Sequence, residues 1–281
     1  MNAKILDGWK LSQNILAGLP SSQKAKPGTG QYPAKLAVVQ VGNNLVSAKY
    51  IKEKEKAAKG LGFGFQLYRF PEKITGPALE SSLMRIAKDA KNTGILIQLP
   101  LPSHLPLQEV LDCIPLQKDV DVLASEALGL FAQGALPWMP PTVHAISILL
   151  KEAKVELKGA CVLVIGAGRL VGLPVSLWLL KEGATLTIAN KATKNLSSLT
   201  KQADVIISGV GKQGLITGRM IKKGAVVIDA GTSVEDGKTK GDIDFKSVSK
   251  KASFITPVPG GVGPLTVACL FQNLVTLCKT S

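Results

Sequence analysis

The chain has 281 residues, 46% of them apolar, which is enough for two domains with buried cores. Lysine and arginine number 34 against 20 acidic residues, so the formal net charge of +14 favours polyanionic partners or simple solubility. Aromatic residues make up only 5% and are not interleaved with the basic ones, and no nucleic-acid-binding motif is present. We therefore expect a small polyanionic substrate or a phosphorylated cofactor before any specific nucleic acid.

The cellular setting is predicted from the first residues and the cysteines. The first ten residues lack the apolar core of a secretion signal, and no apolar run approaches the roughly 20 residues of a membrane span. The four cysteines are scattered without a pairing pattern, and neither His104 nor His144 has a carboxylate cluster beside it. We expect a cytoplasmic protein without membrane attachment, disulfides or a metal site.

Hydrophobic periodicity predicts alternating strands and helices in the first half of the chain. After a helix within residues 4–19, the Gly-, Pro-, Ser- and Lys-rich segment 21–33 reads as a loop. Strands are predicted at 36–41, 63–70 and 94–98, and helices at 47–62, 77–91 and 105–114. This alternation implies a parallel sheet covered by helices, where ligands collect at the carboxyl ends of strands.

A domain boundary is predicted near residues 125–145, where prolines stiffen the chain before a helix at 143–153. Further strands are predicted at 161–165, 184–190, 204–210, 225–229 and 253–257, and helices at 173–181 and 265–279. We expect two α/β domains with parallel sheets and a cleft between them. One covers 1–135, with the C-terminal helix 265–281 packing back on it, and the other, a Rossmann-type dinucleotide-binding domain, covers 140–264.

One lysine in the predicted helix 47–62 differs from its neighbours. Lys52 and Lys56 share helix faces with other charged residues, whereas Lys54 is flanked by apolar ones. A desolvated amine loses affinity for its proton and can act as a general base or acid near neutral pH. The alternative is a lysine whose stem crosses the edge of the core while its amine stays in solvent.

Polar side chains follow the predicted strand at 94–98. Gln98 stands at its carboxyl end, directly before a Pro-Leu-Pro turn, where it faces a ligand or merely caps a loop. Asp119 and Asp121 lie in the loop after the next short helix. Alternating acids of this kind can also be turn formers.

A glycine-rich turn opens the second domain. A buried strand at 161–165 runs into Gly166-Ala167-Gly168-Arg169-Leu170-Val171-Gly172, which begins a helix. Strand, glycine turn and helix in this order are typical of dinucleotide binding, although any strand-to-helix turn can favour glycine. At the end of the next strand Asn190 and Lys191 replace the acid of NAD-selective sites, which favours the 2′-phosphate of NADP.

Taken together, the motifs resemble the bifunctional methylenetetrahydrofolate dehydrogenase/methenyltetrahydrofolate cyclohydrolase (FolD) family over nearly the whole chain. The resemblance is carried by Ile5-Leu-Asp-Gly8, Val39-Gln-Val-Gly42, Ser47-x-x-Tyr50-x-x-x-Lys54, Gln98-Leu-Pro-Leu-Pro102, Lys118-Asp-Val-Asp121 and Thr256-Pro-Val-Pro-Gly-Gly-Val-Gly-Pro-Leu-Thr266. It implies oxidation of 5,10-methylenetetrahydrofolate with NADP, then hydrolysis of the methenyl product to 10-formyltetrahydrofolate. It also implies a homodimer and folate substrates that include polyglutamylated forms.

The resemblance assigns roles to individual residues. Lys54 is implied as the acid/base, Gln98 as its hydrogen-bond partner, Tyr50 as a stacking surface beside the folate and Asp121 as the contact to the pterin. Substrate binding is implied for Ser47, Tyr50, Leu99, Pro100, Asp121, Pro259, Gly260 and Gly261. Cofactor binding is implied for Gly166, Ala167, Gly168, Arg169, Gly172, Asn190, Lys191, Gly209, Val210, Gly231, Thr232, Gly263 and Thr266.

Several positions depart from the family pattern. Ala167-Gly168 stands where the family has Arg-Ser, Asn190-Lys191 where it has His-Ser, and Val122 where it has glycine. These changes leave NAD open as a cofactor beside NADP. They also leave open a cyclohydrolase with an altered dinucleotide site, and the net charge alone leaves open a non-catalytic folate- or polyanion-binding protein.

Overall fold

The computed structural model describes residues 2–20, 34–235 and 238–280, and the predicted loop at 21–33 lies outside them. The strands are β1 (Lys4–Ile5), β2 (Lys35–Val41), β3 (Gly64–Phe70), β4 (Gly94–Ile97), β5 (Cys161–Ile165), β6 (Thr185–Ala189), β7 (Val205–Ser208), β8 (Val226–Asp229), β9 (Ser233–Glu235), β10 (Lys238–Lys240) and β11 (Phe254–Ile255). The helices are α1 (Gly8–Gly18), α2 (Leu45–Leu61), α3 (Gly76–Lys88), α4 (Leu107–Asp112), α5 (Ser125–Gln133), α6 (Pro141–Glu152), α7 (Gly172–Lys181), α8 (Leu196–Gln202), α9 (Phe245–Val248) and α10 (Val262–Thr280).

The chain divides into two compact units. The lysine unit, named for Lys54, comprises Asn14–Pro141 and Val267–Ser281. The glycine unit, named for the turn at 166–172, comprises Met1–Gln13 and Thr142–Thr266. The sequence predicts residues 1–135 as one domain, whereas residues 1–13 join the glycine unit because β1 pairs in parallel with β11.

The lysine unit is built on a three-stranded parallel sheet in the order β3-β2-β4. The central strand β2 is buried along almost its whole length, as its β-branched run predicts. Helix α10 belongs to this core: the Phe271 ring lies 6.1 Å from the Phe63 ring, and Asn273 Nδ2 donates to the carbonyl oxygens of Val120 and Met139.

Helix α10 requires one correction to the expectation about membrane spans. Among the described residues, Val262–Lys279 is the one helical segment long and apolar enough to cross a membrane by length and composition. More than half of this segment is nevertheless buried within the protein, including Leu265, Phe271 and Leu274. A core helix of a soluble protein has these same properties.

The glycine unit is built on a six-stranded parallel sheet in the order β1-β11-β8-β7-β5-β6. The chain order reverses between β5 and β7, which is where ligands bind in doubly wound sheets. Register places the last residues of four strands level with one another, because Ile165 pairs with Ala189 and Ser208, and Ser208 pairs with Asp229. Two α/β units with parallel sheets confirm the predicted fold class.

Candidate active site

Helix α2 carries three of the predicted site residues on one face. The helix begins after Asn44, whose side chain accepts a hydrogen bond from Ser47 N at 3.0 Å, and it ends at Gly62 in the left-handed conformation. Ser47, Tyr50 and Lys54 follow at a spacing of three and four residues, so they project from the same side of the helix. The lysines of the other faces, at 49, 52, 56 and 59, are exposed.

Lys54 contacts the end of β4 through a hydrogen bond. Its Nζ donates to Gln98 Oε1 at 2.8 Å, while Gln98 Nε2 donates to the carbonyl oxygen of Leu99 at 3.0 Å. The second bond fixes the amide so that its oxygen, and not its nitrogen, faces the amine. Ser47 Oγ also donates to Leu99 O, at 3.3 Å, and so connects the start of α2 to the same turn.

The surroundings of Lys54 shift its protonation equilibrium. The residue is half-buried, and Ile51, Ala58 and Leu61 of the same helix are buried around its stem. Burial lowers the pKa of the Lys54 amine from its ordinary value, and the negative charge of Asp121 opposes this shift. The amine is therefore shielded from solvent. At a given pH near neutrality, a larger fraction of the molecules carry an uncharged Lys54 than would carry an uncharged exposed lysine.

Asp119 organises the loop that carries Asp121. Its buried carboxylate accepts four backbone hydrogen bonds, from Asp121 N (3.1 Å) and Val122 N (2.8 Å) on one oxygen and from Leu123 N and Ala124 N (both 2.9 Å) on the other. Burial raises the pKa of Asp121 to about 6, with Lys54 opposing the rise and Asp119 adding to it. The sequence marks Asp119 only as one of two alternating acids in a loop, because a run of consecutive amides around one carboxylate is not visible in a sequence.

Val122 adopts a backbone conformation that favours glycine. Its φ of 58° lies in the left-handed region, which costs a residue with a Cβ about 1–2 kcal/mol. The Asp119 contact to Val122 N holds this conformation, and the valine side chain is buried. Val122 therefore holds a left-handed backbone conformation that is supported by the Asp119 carboxylate.

The glycine turn of the second unit has the form of a dinucleotide cradle. A Cβ on Gly172, the first residue of α7, would lie 1.8 Å from Gly166 O, and one on Gly166 would lie 2.9 Å from Gly209 O. Gly166 also has a φ of 98°. Gly168 has open space above it, so the backbone is accessible to a phosphate at the start of α7. Ala167 and Gly168 are exposed, and Arg169 is half-buried.

The other predicted cofactor residues follow the level strand ends described above. Asn190 and Lys191 come after β6, Gly209 and Val210 after β7, and Gly231 and Thr232 shortly after β8. Asn190 Oδ1 accepts from Ala192 N at 2.9 Å, which makes a tight turn and leaves Lys191 exposed at its tip. One edge of the sheet thus gathers a glycine cradle, two small-residue loops and a lysine.

The loop at 257–264 is held by the N-terminal residues of the same unit. Gly8 N donates to Gly260 O at 2.9 Å, and a Cβ on Gly8 would lie 1.8 Å from Gly261 O. Gly260 and Gly261 are buried while Pro259 is exposed. Gly263 and Thr266 stand at the start of α10, where Thr266 Oγ1 donates to Gly263 O at 2.7 Å.

The predicted residues thus fall into two groups. Ser47, Tyr50, Lys54, Gln98, Leu99, Pro100 and Asp121 are gathered in the lysine unit, and the remainder lie in the glycine unit. Within the described ranges, no group of three or more His, Cys, Asp and Glu residues could hold a metal ion. The cradle residues fit a dinucleotide, because three glycines bring backbone close together and leave the start of α7 open.

Comparison with known proteins places both units in one family. The family model for the tetrahydrofolate dehydrogenase/cyclohydrolase catalytic domain matches residues 6–121, and the model for its NAD(P)-binding domain matches residues 140–281. The chain belongs to the tetrahydrofolate dehydrogenase/cyclohydrolase family. This confirms the resemblance that the sequence motifs indicate.

Relatives of this tetrahydrofolate dehydrogenase/cyclohydrolase family match along their full length. Bifunctional protein FolD of Nautilia profundicola is 41% identical over 276 residues, covering 98% of this chain and 97% of the relative. The crystal structure of the bifunctional enzyme FolD from Campylobacter jejuni is 38% identical, covers 99% of both chains and superposes with a TM-score of 0.93. The Trypanosoma brucei FolD structure, which is complexed with NADP cofactor and inhibitor, is 33% identical, covers 100% of this chain and 98% of its own, and has a TM-score of 0.94.

Proposed function

We propose that this protein oxidises 5,10-methylenetetrahydrofolate to 5,10-methenyltetrahydrofolate with NADP and then hydrolyses the product to 10-formyltetrahydrofolate. The observation that carries the proposal is the Lys54–Gln98 hydrogen bond beside the Asp121 loop, in a chain that also has an intact glycine cradle. Family membership over both units supports the pairing of the two activities. Such a product feeds the one-carbon metabolism on which purine biosynthesis draws.

The dehydrogenase half uses the glycine unit. Gly166, Gly168 and Gly172 would hold the pyrophosphate at the start of α7, while Lys191 would face the 2′-phosphate. Bound NADP supplies the acceptor for a hydride from the methylene carbon of the substrate. The protein's part is to hold the two reactants in place, since proximity alone lowers the barrier to such a transfer.

The cyclohydrolase half uses the Lys54 amine as a base. Water adds to the methenyl carbon and gives one proton to the uncharged amine. The resulting ammonium returns this proton to nitrogen 5 as the bond from that carbon to nitrogen 5 breaks, and the remaining hydroxyl proton is released as the formyl carbonyl forms. The overall step consumes one water and releases one proton. A lowered pKa suits this role, because an amine that is part uncharged can accept a proton and does not repel the methenyl cation.

Tyr50 and Asp121 are proposed to bind the folate. The Tyr50 ring lies one helical turn before Lys54 on the same face and offers a flat apolar surface for stacking. Asp121 offers a carboxylate to the N–H groups of the pterin, in a loop held rigid by Asp119. Ser47, Leu99 and Pro100 of the lysine unit are proposed as further folate contacts.

The proposal is tested by following near-ultraviolet absorbance in two assays. Methylenetetrahydrofolate with NADP should produce methenyl absorbance, and added methenyltetrahydrofolate should be consumed faster than without protein. No methenyl formation with either NADP or NAD would contradict the dehydrogenase. Because Ala167 replaces the family's arginine, the second candidate is a cyclohydrolase alone, and it predicts hydrolysis without any hydride transfer.

Polyglutamylated folates are the proposed physiological substrates. The exposed faces of α2 carry Lys49, Lys52 and Lys56, and the chain as a whole is strongly basic. A chain of glutamates attached to the folate would be attracted to such a surface. A lower KM for a pentaglutamate than for a monoglutamate at low salt, converging at high salt, would support this, and equal values at low salt would contradict it.

A homodimer through the glycine unit is also proposed. Strand β6 is an edge of the six-stranded sheet, and Ile188 on it is 47% exposed. Leu173 and Leu180 on α7 are also exposed. An apolar strand edge of this kind is a surface that proteins usually cover.

A cytoplasmic location is the remaining part of the proposal. All four cysteines are free thiols, which is usual in a reducing compartment. The one described helix that is long and apolar enough for a membrane span, Val262–Lys279, is mostly buried within the protein.

A further inference from the structure

Two buried aspartates lie behind the cofactor loops and have no role in the chemistry above. Asp229 is the last residue of β8 and is 3% exposed, and Asp242 lies between β10 and α9 and is 0% exposed. Burying two carboxylates side by side is costly unless every oxygen is well satisfied. Their hydrogen bonds show which loops the two carboxylates stabilise.

Asp242 holds the loop after β7. Its Oδ2 accepts from Ser208 Oγ and Val210 N, and its Oδ1 accepts from Lys212 N, all at 2.7 Å. Hydrogen bonds to an ionised carboxylate are stronger than those between neutral groups. The carboxylate therefore fixes the main chain at 210–212. This segment directly follows Gly209, whose carbonyl oxygen lies close to Gly166 of the glycine cradle.

Asp229 holds Asp242 in turn. Its Oδ1 accepts from Asp242 N at 3.1 Å and from Gly231 N at 3.0 Å, and its Oδ2 accepts from Ile243 N at 3.0 Å. The same carboxylate thus ties the loop after β8 to the segment that carries Asp242. The loops after β7 and β8 are therefore connected to each other through Asp229 and Asp242.

Two neighbouring glycines leave the space that the two carboxylates occupy. A Cβ on Gly231 would lie 2.2 Å from the Asp242 carboxyl group, and a Cβ on Gly241 would lie 2.1 Å from Asp229 Oδ2. Any side chain at either position would push a carboxylate away from its amides. The two aspartates and two glycines therefore form one unit of structure.

We propose that Asp242, held by Asp229, is a positioning residue for NADP: it fixes the loop at 209–212 in the conformation that binds the nucleotide. This rests on the proposed dehydrogenase function. The residues proposed for hydrolysis, Lys54, Gln98 and Asp121, belong to the lysine unit and are held by hydrogen bonds within it. The effect is accordingly specific to the nucleotide.

The test is Asp242→Asn in the full chain, with NADP affinity measured by isothermal titration calorimetry. An amide in either orientation turns an NH₂ group toward backbone or hydroxyl donors, so at least one loses its acceptor. We expect the Kd for NADP to rise about tenfold or more. The KM for NADP should rise with it while kcat at saturating NADP changes little. Methenyl hydrolysis without NADP should stay within about twofold of the wild type, which shows that the variant is folded.

Asp244→Asn is the matched control, because Asp244 lies two residues further on, with its carboxyl group bonded by Ser247. It should bind NADP as the wild type does. If Asp242→Asn does not fold, Ser208→Ala removes one donor and keeps both carboxylates, and a weakening of NADP binding of about threefold is expected. An unchanged Kd in Asp242→Asn, an equal loss in Asp244→Asn, or an unchanged Kd in Ser208→Ala when the first variant is unfolded would overturn the proposal.

The outcome is separable from that of the proposed function. If the wild type binds NADP but forms no methenyl product, the dehydrogenase fails while the Asp242 comparison still stands. If the wild type is an active dehydrogenase and Asp242→Asn binds NADP normally, the positioning role alone fails.

Discussion

Lys54 Nζ lies 2.8 Å from Gln98 Oε1, and the Gln98 amide is locked in that orientation by its own bond to Leu99 O. The amine thus has one neutral acceptor and a carboxylate, Asp121, whose charge acts on its pKa. A neutral partner orients the amine without holding its proton as strongly as an adjacent carboxylate would. This balance makes the protonation state of Lys54 open to adjustment by single substitutions.

Gln98→Glu should place a negative charge against the amine at nearly the same distance. The opposite charge raises the pKa of Lys54, by roughly 1–3 units, so less of the amine is uncharged at neutral pH. Methenyl hydrolysis at pH 7 should fall about tenfold or more, and the acid limb of its pH profile should move to higher pH. Gln98→Met, which removes the acceptor without adding charge, should move that limb the other way. Limbs that move together would contradict the assignment.

Asp121 should give folate binding an acid limb of its own. Because burial raises its pKa to about 6, the carboxylate is ionised above pH 6 and becomes protonated as the pH falls below it. The KM for methylenetetrahydrofolate should therefore rise below about pH 6. Asp121→Asn should have a KM about tenfold or more higher at pH 7.5 and should lack this pH dependence. A variant that retains the limb would assign it to another group.

Lys191→Ala should weaken NADP binding more than NAD binding. The lysine is exposed at the tip of the turn after β6, so its charge is screened and the expected rise in Kd for NADP is only about fivefold. Lys181→Ala removes the same charge at the other end of the preceding helix α7 and should change neither affinity. Equal losses for NADP and NAD in Lys191→Ala would mean that the lysine does not contact the 2′-phosphate.

Ile188→Asp should dissociate the proposed dimer. A carboxylate on the β6 edge cannot be buried in an interface without a partner, so association should weaken strongly. Light scattering after size-exclusion chromatography should give a dimer for the wild type and a monomer for the variant. Val234→Asp is the control, because Val234 is similarly exposed, at 51%, on β9, which pairs antiparallel with β10. A wild-type monomer, or a variant that remains dimeric, would contradict the proposed interface.

The sequence predicts the main strands and helices well because their patterns are regular. The run at 36–41 and the run at 161–165 are continuous apolar segments, and both form buried central strands. The pairing of Lys54 with Gln98 is implied by the family resemblance and is present as a hydrogen bond. The residue pattern alone indicates only an amine with apolar neighbours on a helix and a glutamine at the end of a strand. Strand β11 covers only Phe254–Ile255 of the predicted 253–257, and at its carboxyl end Pro257 has no N–H for a further ladder bond.

Other features depend on contacts between distant segments. Strand β1 has only two residues, both exposed. It forms because Lys4 and Ile5 pair with β11, about 250 positions later in the chain. Helix α5 falls within the stretch predicted as the domain boundary. Asp119, Asp229 and Asp242 act through backbone amides of loops, and no residue pattern marks which carboxylate an amide will meet.

The central claim is that one partly desolvated amine takes the proton when water adds. The most direct measurement compares methenyltetrahydrofolate hydrolysis by Lys54→Met and Lys56→Met, which make the same change on the buried and the exposed side of α2. We expect Lys54→Met to lose at least about a hundredfold in rate, as removal of a general base does, with its melting temperature and NADP affinity retained. Lys56→Met should hydrolyse at the wild-type rate. Hydrolysis by Lys54→Met at the wild-type rate would contradict the claim.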